Sequence, residues 1–340
     1  MRLPDFEYVE PKLLEEASGF LKEHGAESKL MGGGTDLLPS MKQRIFRPRY
    51  VVNLGALPGL DRVVFDGKAG VKIGALVKLR TLETDPVMRE RYPMIVQAAE
   101  AVGSVQLRQM GTVGGNLSLD TRCYYYNQSD FWRKCRPVCI KMGGETCNAI
   151  GGGKKCFAVF SGDLAPALMA LGAKVRVHSW KGERTMSLSE YYSGDGAKPL
   201  SIGAGEILTG VEVESIPKEG VGCYLKYRIR KSIDFPLAGV GAYITLEGRE
   251  GICGEARVVI GGVGMRPEEV KGIGELLEGK KLTDLLMGEA SELAFKAARP
   301  IANAAGTPTY RRKMIKILVQ RALRRGAEEL GKRVSGQGMK

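Results

Sequence analysis

Histidine is almost absent from this chain of 340 residues: His24 and His178 are the only two. Because histidine is the usual general base near neutral pH, hydrolase chemistry has little to work with here. The nucleophile elbow G-x-S-x-G and the zinc-protease pair H-E-x-x-H are missing too. No stretch reaches the roughly 18 uninterrupted apolar residues that a membrane span needs. Acids interrupt the N-terminal MRLPDFEYVEPKLLEE, where a secretory signal would be apolar. These absences predict a cytoplasmic chain with no membrane partner. With 44% hydrophobic and 26% charged residues, it is an ordinary globular sequence, long enough for two or three compact units.

Charge is the first positive feature. Lys and Arg outnumber Asp and Glu by 51 to 38, a net +13, which raises nucleic acid as a partner. The basic residues are spread, however, and their densest group (Arg311, Arg312, Lys313, Lys316, Arg321, Arg324, Arg325) falls in one C-terminal segment. Met314, Ile315, Leu318, Val319 and Leu323 give that segment an apolar stripe, so the basic group reads as the solvated face of a helix.

Five of the seven cysteines fall within residues 123–156: Cys123, Cys135, Cys139, Cys147 and Cys156. Cys223 and Cys253 lie in strand-like runs and read as small buried hydrophobes. Nothing directs the chain to an oxidising compartment, so metal binding accounts for the cluster better than disulfides do. Zinc sites usually take paired C-x(2–4)-C ligands at both ends, and only Cys135 and Cys139 form such a pair. An iron–sulfur cluster also takes four thiolates and accepts uneven spacings. Spacing leaves both metals open.

The rest of the chain has regular rhythm. Phe6–Val9 and Ser28–Met31 read as strands around a helix running from Pro11 to Gly25, with His24 in its last turn. A strand at 50–54 and a hairpin about Asp66-Gly67 follow. Residues 81–102 have a helical pattern broken near Pro86 and Pro93. Asp163 is the expected N-cap of a helix. Strands at 208–213, 224–230, 240–246 and 256–263 precede helices at 266–278, 288–299 and 308–332. That order suggests a separate α+β unit beginning near residues 217–222. Residues 120–158 interrupt this rhythm as an insertion without regular secondary structure of its own. Loops of that length are usually functional or disordered.

Two glycine loops stand out. Gly32-Gly33-Gly34-Thr35-Asp36 follows a strand and precedes a short helical stretch, so its N–H groups, with those of the helix start, can converge on an anion. Gly111-Thr112-Val113-Gly114-Gly115-Asn116 is a second loop about 80 residues on. Neither is a P-loop, and no Rossmann fingerprint is present. Two such loops can grip a dinucleotide from opposite sides.

The residues G-G-G-T-D-L-L-P (32–39), T-V-G-G-N (112–116), S-G-D-L-A-P-A-L (161–168) and T-Y-R-R-K-M (309–314) resemble the FAD-binding subunits of the molybdenum hydroxylases, the family of xanthine dehydrogenase and the carbon monoxide dehydrogenase medium subunit. The resemblance runs over nearly the whole chain. It implies an α+β fold: a two-lobed FAD-binding domain of the PCMH, or vanillyl-alcohol oxidase, type over 1–218, with lobes 1–57 and 58–218. A C-terminal α+β domain of antiparallel sheet and helices would span 219–335. The segment D-T-R-C-Y-Y-Y-N-Q, with W-R-K and G-G-E-T-C, is most similar to the beta subunits of 4-hydroxybenzoyl-CoA reductases, which carry a [4Fe-4S] cluster in an inserted loop. Residues 120–158 would be that loop.

By this resemblance the cluster ligands are Cys123, Cys139, Cys147 and Cys156, with Cys135 an alternative ligand. The pyrophosphate of FAD would lie on Gly32, Gly33, Gly34 and Thr35, with Met31 opening the loop and Asp36 at its edge. Thr112, Gly115 and Asn116 would form the opposite wall. Asp163 would bond a ribityl hydroxyl, although it could be only an N-cap. Lys226 would approach the flavin ring, although it could be only a solvated strand residue. No residue is expected to do substrate chemistry, so the chain would be an electron-transfer subunit. Its implied companions are a molybdopterin-binding large subunit and a small subunit with two [2Fe-2S] clusters.

The reaction implied is the reductive removal of a phenolic hydroxyl from an aromatic acyl-CoA in anaerobic aromatic degradation, with ferredoxin as electron donor. The basic balance suits docking of an acidic carrier. Tyr124, Tyr125, Tyr126, Phe131 and Trp132 would shield the cluster or simply pack the insertion. One rival reading keeps FAD in an ordinary xanthine, carbon monoxide or aldehyde dehydrogenase, with the cysteine loop zinc-bound or vestigial. Another is a zinc-stapled nucleic-acid-binding protein; the reading adopted has no nucleic-acid partner.

Overall fold

The computed structural model describes residues 2–67, 69–248 and 251–334. Three sheets organise it. In the first, β1 (Glu7–Val9), β2 (Ser28–Met31) and β3 (Tyr50–Asn53) run parallel in the order β1-β3-β2. β3 is central because Val51 and Val52 are fully buried. The helix Leu14–His24 makes the crossover and packs Ala17 and Leu21 on the sheet. The first glycine loop leaves the carboxyl end of β2, the edge at which open parallel sheets present ligand-binding loops.

The second sheet is antiparallel: β4 (Val63–Asp66), β5 (Gly70–Gly74), β6 (Lys174–Ser179), β7 (Gly182–Ser187) and β8 (Ile207–Val213), in the order β4-β5-β8-β6-β7. The expected strand at 208–213 therefore belongs to this sheet and not with the strands that follow it. Residues 81–102 form three helices, Leu79–Thr84, Pro86–Arg91 and Pro93–Ala101. Each proline opens a new helix at its first position, where no N–H is needed. The Asp85 carboxylate accepts from Met88 N at 2.9 Å and caps the second helix.

The third sheet holds β9 (Gly220–Tyr227), β10 (Ala238–Glu247), β11 (Ile252–Gly261) and the short β12 (Glu268–Glu269), all antiparallel. Alternation in β10 sends Val240, Ala242 and Ile244 toward the helices Asp284–Ala297 and Pro308–Val334. Its other face, including Tyr243, lies on the helix Leu164–Ala170. That helix comes so close that a Cβ at Gly241 would sit 2.4 Å from the Pro166 carbonyl oxygen, which is why the strand carries glycine there.

Three expectations need correction. The helix over 266–278 is only Ile273–Leu277: β12 pairs with β11 after Pro267, and Gly272, at φ +82°, resets the chain direction. Arg311 is not on the solvated face of the last helix. It is fully buried and donates to the carbonyls of Leu237, Ile301 and Gly262, while Arg324 pairs outside with Asp284 at 2.7 Å. The insertion 120–158 contains a short helix, Asp130–Lys134, and one 3-10 turn, Ile140–Met142.

Both ends of the insertion are tied down. Arg122 and Val159 exchange backbone bonds at 2.7 Å, Tyr124 N donates to Asn303 O at 2.9 Å, and Asn303 Nδ2 donates to Phe157 O at 2.7 Å. Cys223 and Cys253 are buried in the C-terminal core, and all seven cysteines are free. Among the described residues no helix is long and apolar enough to cross a membrane.

Candidate functional site

The two glycine loops meet. Val113 N and Gly114 N donate to the carbonyls of Val77 and Ala75 at 2.9 and 2.7 Å, which fixes the second loop to the chain leaving β5. The Thr112 hydroxyl accepts from Gly115 N at 3.0 Å and holds the turn. A Cβ at Gly33 would stand 1.9 Å from the Met110 carbonyl oxygen, so only glycine lets the loops approach this closely. Between them lies a cavity of about 820 Å³. Its wall includes Met31, Gly32, Gly33, Gly34, Thr35 and Asp36 from one side, and Thr112, Gly115 and Asn116 from the other. Asp163 also lines it.

Asp163 occupies the N-cap position of Leu164–Ala170, but its side chain does not cap. Asn116 Oδ1 does so, accepting from Leu164 N at 3.0 Å. The Asp163 carboxylate is left to accept from Tyr224 OH at 2.6 Å and Lys226 Nζ at 2.9 Å. Burial lifts this carboxyl above its ordinary range, opposed by Lys226 and Tyr224. Lys226 does not reach the cavity wall: it stands behind Asp163 and also donates to Ala101 O at 2.9 Å.

A band of charge stands beside the first glycine loop: Lys29, Asp36, Asp120 and Lys141 line the cavity, and Arg122 lies against Asp36. Arg122 donates to Asp36 Oδ1 at 3.2 Å and stacks 4.2 Å from the centre of the Phe235 ring. Burial raises the Asp36 carboxyl, against Arg122, and burial lowers the Lys29 ammonium, against Asp120. The one sequence signal for this band is position, since these residues lie within three of the first glycine loop or of Cys123 and Cys139.

Behind the band is a second, small cavity, lined by Cys123, Cys139, Cys147 and Cys156 together with Tyr125, Tyr126 and Phe157. Cys135 is outside it, exposed, with its thiol donating to Phe131 O at 3.4 Å. Phe131 is 80% exposed and shields nothing, and the Trp132 ring stacks under Arg136 at 4.5 Å. Burial pushes the Cys123 thiol up to about 11 and raises that of Cys156. Among the described residues no three His, Cys, Asp or Glu side chains stand close enough to hold a single ion. Four thiolates around a cubane each bind a different iron and stand farther apart than ligands of one ion. The donor set, four sulfurs with no His, Asp or Glu among the lining residues, suits such a cluster.

Residues 4–217 match the family described as the FAD binding domain in molybdopterin dehydrogenase. Residues 223–325 match the CO dehydrogenase flavoprotein C-terminal domain. The chain is 26% identical over 321 residues to the glyceraldehyde dehydrogenase medium chain of Sulfolobus acidocaldarius, covering 94% of this chain and 98% of that one. It is 30% identical over 258 residues to the aldehyde oxidoreductase FAD-binding subunit PaoB of Escherichia coli, covering 72% and 77%. A chain of the crystallised Cu,Mo-CO dehydrogenase superposes with a TM-score of 0.78 at 24% identity, covering 96% of this chain and 99% of that one. That last likeness is one of fold.

Proposed function

The chain belongs to the FAD-binding medium-subunit family of the molybdenum hydroxylases, and from that premise we propose that it is the flavin-bearing electron-transfer subunit of a molybdenum-containing oxidoreductase. The observation that carries this reading is the convergence of both glycine loops on one cavity of about 820 Å³. Backbone of residues 32–35 would hold the pyrophosphate, and Thr112, Gly115 and Asn116 would close the opposite wall. Asp163, fixed from behind by Tyr224 and Lys226, would offer its carboxylate to a ribityl hydroxyl. Bound FAD supplies the capacity to take up and release electrons, and the protein orients and tunes it. The companions proposed are a molybdopterin-binding large subunit and a small subunit with [2Fe-2S] clusters.

For the reaction, the two sequence relatives named above are subunits of an aldehyde dehydrogenase and an aldehyde oxidoreductase, and they support a hydroxylase-type assembly of that kind first. The four-cysteine cavity favours a second reading, in which the insertion holds a [4Fe-4S] cluster and the assembly is a 4-hydroxybenzoyl-CoA reductase-like enzyme. Lys134, Arg136, Lys154 and Lys155 would then suit docking of an acidic ferredoxin.

Purification without oxygen, with flavin, iron and zinc analysis, separates the readings. Flavin with about four irons per chain supports the cluster; flavin alone or with zinc leaves the dehydrogenase reading; neither flavin nor metal defeats both. Cys139→Ser should strip the iron, while Cys135→Ser should retain it.

A further inference from the structure

Among the described residues, Tyr126 and Lys141 alone line both the FAD cavity and the four-cysteine cavity. The Lys141 side chain is only 4% exposed. Its ammonium bonds Asp120 Oδ1 at 2.7 Å, Gly196 O at 2.8 Å and the Thr121 hydroxyl, and it lies 4.9 Å from the Tyr126 ring centre. Asp120, its counter-ion, lines the FAD cavity and not the other. A charge so shielded from solvent acts farther than an exposed one.

We propose that Lys141 is a shared electrostatic control on the two redox sites, a fixed cation that favours the reduced state of both, with Asp120 as its counterweight. The inference rests on the reading that FAD fills one cavity and a four-iron cluster the other. Electrons bring negative charge, so a nearby cation raises a centre's reduction potential and a nearby anion lowers it. Lys141 touches no reacting atom by this account. It is a positioning residue, acting through its charge and through the wall it pins.

The test is a spectroelectrochemical titration, without oxygen, of the full chain with its bound cofactors. Lys141→Met should shift the reduction equilibrium of both centres about tenfold toward the oxidised form, about 59 mV for a one-electron centre. Asp120→Asn should shift both the opposite way, and Lys141→Arg should stay near the wild type. Lys141→Met and Asp120→Asn break the same ion pair, so mere loosening of the wall would move the potentials in one direction for both. Shifts of equal sign, or none, would overturn the proposal. If Lys141→Met does not fold, Asp120→Asn and Lys141→Arg still decide it: failure of Asp120→Asn to raise both potentials sinks the idea. Wild-type protein with flavin but no iron refutes the cluster reading and with it the shared role. Iron and flavin both present, with unmoved potentials, refutes Lys141 alone.

Discussion

At the scale of single residues, Gly33 is the position where the site tolerates least. A methyl group there meets backbone, the Met110 carbonyl oxygen at 1.9 Å, and no flexible side chain can swing aside. The loops would have to part. Gly33→Ala should therefore cost about 1–3 kcal/mol of stability, as overpacking does, and should sharply lower the flavin retained per chain. The absorbance ratio of flavin to protein after gel filtration measures it, and an unchanged ratio would show that the loops need not touch. Glycine was legible in the sequence because it repeats in two short runs at a distinctive separation. Lys141, Asp120 and Arg122 are not, because their partners lie 21, 21 and 86 residues away and nothing local marks them as paired. Arg311 failed for the same reason: a basic residue beside six others reads as solvated until the three carbonyls that hold it are known.

Elements set those residues in place, and the second glycine loop depends on one buried ion-pair cluster. Glu83, in the helix Leu79–Thr84, accepts from Arg108 at 2.9 and 3.3 Å and from Arg80 at 2.7 Å. Arg108 belongs to the helix Val105–Met110, which runs directly into Gly111. Burial pushes the Glu83 carboxyl up, but the bonds from Arg108 and Arg80 together outweigh it, so the group sits below its ordinary range. A carboxyl held low in the folded state adds stability above its unfolded value of about 4.3 and loses it as pH falls through the folded value. Glu83→Gln should thus lower stability by about 3 kcal/mol at neutral pH. The gap from wild type should close below about pH 4. Urea unfolding at both pH values checks this, and a pH-independent gap would mean that packing, not charge, ties the helices. Element breaks such as Pro86 and Pro93 were readable because proline acts locally. β6 and β7 were not foreseen: β7, Gly182–Ser187, is a mostly exposed edge strand whose polar residues carry no alternation. β12 was hidden because its two residues are held only by pairing with β11.

Across the whole molecule, the large cavity proposed for FAD is not the property of any one sheet. The end of β2 and the chain after it contribute residues 31–36, the chain between β5 and β6 contributes Thr112, Asn116 and Asp163, and the chain between β9 and β10 contributes Ile233, Asp234 and Phe235. A ligand seated there ties three sheets that otherwise meet through packing and a few bonds. FAD should therefore act as a global stabiliser. At a free concentration of about 100 times its dissociation constant it adds about 2.7 kcal/mol, a rise in melting temperature of roughly 4 °C for a chain of this size. The sharper expectation concerns cooperativity. Without flavin, the unit built on β1–β3 is held mainly by the small cluster around Ala17, Leu21, Val52 and Leu57 and by a few bonds such as Arg122–Asp36, so it should unfold at a lower temperature than the rest. With flavin, that early transition should merge with the main one, because residues 32–36 can leave only by releasing the ligand. Calorimetry of the flavin-depleted chain across an FAD titration reads this directly. If the early transition stayed where it was while the main one rose, the first glycine loop would not be part of the cradle.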